Sequence, residues 1–174
     1  GSLGRNIWTQ IYPKGPEICA ASIYKLTDKI QTGKAFNILL IVASFFLAYF
    51  ALSQLGTLRK KAALMISLLL AFNPVSLCEV FSFYIDGQLS SLLVCAFALV
   101  LIIMLRMGKR NKGPLSRDDW LFLLLLSVVF LLLINTKLTG LAYAFFIVAG
   151  FLLYLLIKNG LKAAFKWGVV FLTA

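Results

Sequence analysis

Long apolar runs alternate with short charged breaks along this chain. Between charged residues lie five uncharged stretches, 35–58, 62–78, 87–105, 120–136 and 138–157, of 24, 17, 19, 17 and 20 residues. A helix needs about 20 apolar residues to cross the hydrocarbon core, within a range of roughly 17 to 25. Each stretch is therefore read as a membrane span, and the apolar run at 163–174 as the start of a further one. The first 34 residues differ. Their apolar run, 18–26, is too short to span, but Ile18, Ala21, Ser22 and Lys25 share one side of a helix. Pro16 and Glu17 suit its first turn. Residues 1–34 are thus expected to form an outer-side loop and an interfacial helix, with Gly33 as its C-cap or hinge.

The fold class this predicts is all-α: a polytopic transmembrane helix bundle, a single domain incomplete at both ends. Composition agrees. The chain is 61% hydrophobic and 13% charged, with a mean hydropathy of +0.96, whereas soluble domains are about a quarter charged. The net charge of +11 does not point to nucleic acid, because the basic residues cluster between apolar runs, as membrane topology requires. The three cysteines (Cys19, Cys78, Cys95) show no metal-ligand spacing, and there is no histidine. They read as small apolar packing residues.

Lysine and arginine set the expected orientation. Arg59, Lys60 and Lys61 follow the first stretch. Arg106, Lys109, Arg110, Lys112 and Arg117 follow the third, and Lys158, Lys162 and Lys166 the fifth. These loops are placed in the cytoplasm, which puts 73–86, 135–140 and the N-terminal stretch on the outer face. Lys14, Lys25, Lys29 and Lys34 break the rule there. They call for an anionic ligand or a lipid phosphate nearby.

The six acids sort by side. Asp118 and Asp119 follow Ser116 in a capping-box pattern and read as structural. Glu17, Asp28, Glu79 and Asp86 all map to the outer face. Asn73-Pro74 ends a helix, and Asp86-Gly87 marks a turn or helix start at which Asp86 can serve as N-cap. Were the segment helical throughout, Glu79 and Asp86 would share one face. One reading makes Asp86 a cap and Glu79 a solvated loop residue. The other makes them a general base and a metal ligand at the mouth of a membrane cavity. Lys137, the only charge within 120–157, either snorkels to the headgroups or clamps a phosphate, with Asn135, Thr136 and Thr139 adding hydrogen bonds.

Four segments together carry a family likeness: YPKGPE (12–17), TGKAFNILL (32–40), NPVSLCEVFSFYIDGQLSSLL (73–93) and NTKLTGLAY (135–143). In combination the chain resembles the GT-C superfamily of membrane glycosyltransferases, in its bacterial, polyprenyl-phosphate-sugar-dependent branches. The resemblance implies a GT-C-like bundle in the bacterial inner membrane that transfers a hexosyl or pentosyl group, with inversion, from a polyprenyl-phosphate-linked sugar on the extracytoplasmic face. On the resemblance Tyr12-Pro13-Lys14 matches the motif that ends the first outer loop, Asp86 lies in the second, and Lys137 is a phosphate contact. Together with the residue reading above, Asp86 and Glu79 are the candidate catalytic residues, and Tyr12, Lys14, Lys137 and Asn135 the candidate substrate contacts. Asp86 would also be a ligand to a divalent metal (Mg or Mn). The family's first-loop acid lies upstream of its Tyr-Pro element, and no acid precedes Glu17 here; a fragment lacking that acid is expected to be inactive alone. Membrane lipid is the expected surrounding partner. The alternative, from the polar interruptions alone, is a transporter or flippase for a lipid-linked or anionic solute. A third is a structural membrane subunit.

Overall fold

A computed structural model of the chain describes residues 14–108 and 116–159. Among them every regular element is helical: α1 (Gly15–Thr27), a short 3-10 helix (Ile30–Lys34), α2 (Ala35–Ser53), α3 (Lys60–Ala71), α4 (Pro74–Glu79), α5 (Asp86–Gly108), α6 (Arg117–Thr136) and α7 (Leu138–Asn159). Tyr12 and the apolar run at 163–174 lie outside the described residues. The all-α polytopic bundle read from the sequence is the fold observed.

Among the described residues four segments are long and apolar enough to cross a membrane: Ile30–Ser53, Asp86–Gly108, Arg117–Thr136 and Leu138–Lys158. The chain is an integral membrane protein. Phe46, Leu69, Leu131, Phe145 and Phe146 are each more than 60% exposed, an arrangement that suits lipid and would be an aggregation surface in water.

The expected span at 62–78 is not one helix. α3 has 12 residues, which at 1.5 Å each reach roughly 18 Å, short of the roughly 30 Å hydrocarbon core. Asn73-Pro74 then breaks the run, because proline bars the preceding residue from helical geometry. Asn73 is extended (ψ 156°), its side chain accepts from the Ser76 amide, and Pro74 opens α4. The crossing is made in two pieces, α3 and then the six-residue α4.

α5 is the central helix. Of its most apolar window 61% is buried inside the protein, against 22–33% for the other three candidate spans. Leu92, Leu99 and Ile102 are at most 1% exposed, and they meet Leu126, Leu133, Phe151 and Leu155 from α6 and α7 in two core clusters. Leu133 clusters with Ala144, whereas Leu123 and Leu126 cluster with Ile147, Phe151 and Leu155; this reversed order makes α6 and α7 an antiparallel pair. α2 and α3 pack against each other, and each buries small residues: Ser44, Ala48 and Ala51 on one helix, Ala63, Ser67 and Ala71 on the other, none more than 3% exposed. Side chains of that size let two backbones approach closely within a membrane.

One end of the bundle is tied by Arg106. Its Nε donates to Asp119 Oδ1 at 2.7 Å, and an Nη lies 3.3 Å from Asp118. Ser116 and Asp119 form the capping box read from the sequence, each side chain taking the other's backbone N–H. The two acids therefore cap α6 and also pin it to the end of α5. The opposite end carries Glu79, Asp86 and Lys137.

Candidate functional site

α5 begins with three local constraints. Gly87, its second residue, has little room for a side chain, since a Cβ there would sit 3.1 Å from Glu79 Cβ. Its amide donates to Glu79 Oε2 at 2.6 Å. Ile85, which precedes the helix, accepts the first intrahelical bond from Leu89. Glu79 is thus the anion at the helix N-terminus, satisfying an amide that has no partner within the helix. Asp86 was expected to fill that role. Instead its Oδ1 accepts a hydrogen bond from Lys137 Nζ at 2.7 Å.

Nor do Glu79 and Asp86 share a helix face, because helix α4 stops at Glu79 and α5 starts only at Asp86. The turn between them is closed by the Ser82 amide and hydroxyl on the Glu79 carbonyl, and one buried amide ties it to α2. Asn37, in the first turn of α2 and 6% exposed, donates to the carbonyls of Glu79 and Ser82, both at 3.0 Å. Its Oδ1 accepts from Gln88 Nε2 at 2.8 Å. Asn37 lies inside one of the segments that carry the family likeness, and the only sequence signal for it was an amide in an otherwise apolar span start. Gln88, its partner, is 51 positions away.

Lys137 is the single non-helical residue between α6 and α7, with extended backbone (φ −158°, ψ 147°). This one-residue break turns the chain and aims Lys137 at Asp86. The side chains of the pair are 33% and 51% exposed. Asn135 is exposed, but its Nδ2 donates to the Leu131 carbonyl of its own helix at 2.8 Å, so its amide is directed away from the pair. Its backbone supports α1: a Cβ on Gly15 would fall 2.7 Å from the Asn135 carbonyl oxygen. Lys14, just before that contact, is exposed at the same corner. The structure therefore brings Asp86 and Lys137 together, leaves the Asn135 amide on its own helix and Lys14 exposed just before Gly15, and gives Glu79 a structural bond.

α1 ends at Asp28 in left-handed geometry (φ 53°), with its amide on the Tyr24 carbonyl. Asp28 is the cap expected at Gly33, since aspartate tolerates this conformation better than most residues. Gly33 serves close packing instead: a Cβ would lie 3.1 Å from the Ala20 side chain.

The residues present do not fit the divalent metal expected at Asp86. Its charge is met by the Lys137 ammonium, and the Glu79 oxygen nearest α5 holds the Gly87 amide. Among the described residues no three side chains of the metal-binding types gather.

The chain matches no protein-family model, no characterised protein and no solved structure.

Proposed function

We propose that the protein is a membrane glycosyltransferase acting on a polyprenyl-phosphate-linked sugar at the extracytoplasmic face of a bacterial inner membrane. One observation carries the proposal: the half-exposed Asp86–Lys137 pair joins a carboxylate and an ammonium at the end of a transmembrane bundle. Exposed ion pairs contribute only about 0–1 kcal/mol, so stability gives little reason to bring the only charge within 120–157 here. A phosphate donor and a hydroxyl acceptor give a better one.

In this mechanism the donor phosphate takes over the Lys137 ammonium and Asp86 is released. Asp86 then accepts the proton of the acceptor hydroxyl as its oxygen bonds to the anomeric carbon. The carbon–oxygen bond to the phosphate breaks, its electron pair leaves on the phosphate, and the Lys137 charge stabilises that leaving group. Lys14 adds positive charge at the same corner. The transporter reading gains less support, because the polar atoms at the α3–α4 break serve the fold: Asn73 Nδ2 donates to the Leu70 carbonyl and Ser76 Oγ, and its Oδ1 accepts from the Ser76 amide.

Asp86→Asn and Lys137→Ala in the full protein test the site. Transfer is expected to fall at least about a hundredfold in the first, the usual scale for a lost general base. In the second, KM for the lipid-linked donor should rise about tenfold or more. Wild-type rates in both variants would remove the pair from the reaction.

Sidedness has its own test in the native cysteines. Cys78 is exposed on α4, one residue before Glu79, and Cys95 is buried in α5. Cys19 on α1 is partly buried, and burial raises its pKa. A membrane-impermeant maleimide added from outside is expected to label Cys78 first. Cys19 should react more slowly at neutral pH and speed up as pH rises, since the thiolate is the nucleophile. Cys95 should react only after denaturation. Labelling of Cys78 solely from the cytoplasmic side would reverse the proposed orientation.

A further inference from the structure

Beside the ion pair, on another side of the α5 N-terminus, a second polar cleft opens between α1, the start of α2, the turn after α4 and α5. Its volume is about 60 Å³, and Glu17, Lys34, Asn37, Phe83 and Gln88 line it. A single water needs roughly 10–15 Å³ on the same measure, so the cleft admits several water-sized groups, enough for a glycerol-like arm.

Gln88 gives the cleft its chemistry. The orientation of its amide is fixed by logic: Asn37 Nδ2 donates to two carbonyls, so Asn37 Oδ1 must receive the Gln88 Nε2 hydrogen. Gln88 Oε1 is left buried with no hydrogen-bond partner, in a residue only 6% exposed. An orphaned buried acceptor is costly, and an O–H or N–H donor entering the cleft would satisfy it. The exposed Glu17 carboxylate at the rim is a second acceptor. Lys34 supplies positive charge, with its Nζ 5.1 Å from the centre of the Phe83 ring. As the residue preceding α2, it sits where a charged side chain meets the lipid boundary.

We infer that this cleft binds the headgroup of an anionic, hydroxyl-bearing lipid, with Gln88 Oε1 accepting a headgroup hydroxyl and Lys34 pairing with the phosphate. The position of Lys34 at the span start favours a lipid over a free phosphate. The excess lysines at this end (Lys14, Lys25, Lys29, Lys34), which run against the charge rule for outer loops, acquire a reason. The inference stands whether or not the neighbouring ion pair transfers sugar.

Native mass spectrometry of the full chain in mixed micelles tests it, with phosphatidylglycerol, phosphatidic acid and phosphatidylcholine as probes. The wild type should retain phosphatidylglycerol about tenfold better than the zwitterionic lipid, which has no free hydroxyl, as one hydrogen bond to a charged or buried group predicts. Gln88→Met keeps the volume and removes the acceptor, and should erase the preference for phosphatidylglycerol over phosphatidic acid. Lys34→Gln, at a partly exposed site where folding is not at stake, should erase the preference for both anionic lipids over phosphatidylcholine. Excess glycerol 3-phosphate should not displace the lipid. Equal retention of all three lipids by the wild type, or preferences unchanged in Lys34→Gln, would mean that the cleft holds only water. Displacement by glycerol 3-phosphate would overturn the lipid in favour of a soluble phosphate.

Discussion

Gly140→Ala will destabilise the bundle by about 3 kcal/mol, at the upper end of what overpacking costs, whereas Gly150→Ala in the same helix will be neutral or stabilising. A Cβ at Gly140 would fall on the Leu133 carbonyl, a backbone group that cannot swing aside like a flexible side chain. The crowding follows from the one-residue junction. α6 ends at Thr136 and α7 starts at Leu138, and the Gly140 amide bonds the Lys137 carbonyl at 2.7 Å, so the first turn of α7 lies against the last turn of α6. Relief requires the two helices to separate, which also withdraws Lys137 from Asp86. At Gly150 a Cβ meets nothing within 4 Å, and alanine gains up to about 1 kcal/mol of helix propensity over glycine. Unfolding titrated with SDS in mixed micelles measures both variants. Equal stabilities would show that the junction is looser than its geometry.

The sequence made the bundle legible wherever charges bracket the spans. The expected 120–136 and 138–157 fall within three residues of α6 and α7, because Asp118, Asp119, Lys137 and Lys158 leave the boundaries little freedom. The 62–78 span failed because counting uncharged residues measures length and not helix continuity, and Asn73-Pro74 sits inside the run. Within the site, Asp86 and Lys137 each stood out as rare charges at span ends. Their pairing did not, since it joins residues 51 positions apart through the packing of α5 against the α6–α7 pair. Glu79 looked like half of an acidic couple. Its capping of α5 depends on the 80–85 turn folding back, which no local pattern encodes. Asn37 and Gln88 escaped notice because single amides in apolar runs carry no spacing signal, and only burial gives them a role.

Asn37→Leu is expected to be the most damaging change near the site that touches neither Asp86 nor Lys137. Leucine has a similar volume and removes every polar atom. It leaves the Ser82 carbonyl without its Asn37 donor and Gln88 Nε2 without its acceptor, while the Glu79 carbonyl keeps the Ser82 amide and hydroxyl. A buried polar group stripped of its partner costs about 1–3 kcal/mol, so with two such groups the loss should reach at least about 2 kcal/mol. The effect is directed as well as large. Released from α2, the turn lets Glu79 move off the Gly87 amide, and the start of α5 carries Asp86 away from Lys137. Ser44→Ala is the matched control: equally deep in α2, its hydroxyl serves only the Ile41 carbonyl of its own helix at 2.8 Å, and its removal should cost no more than about 1 kcal/mol. The same SDS titration compares the two. Maleimide labelling of Cys78, at the edge of the turn, should accelerate in Asn37→Leu and stay unchanged in Ser44→Ala. An Asn37→Leu protein as stable as the control, with Cys78 no more reactive, would mean that the turn holds Asp86 in place without the buried amide.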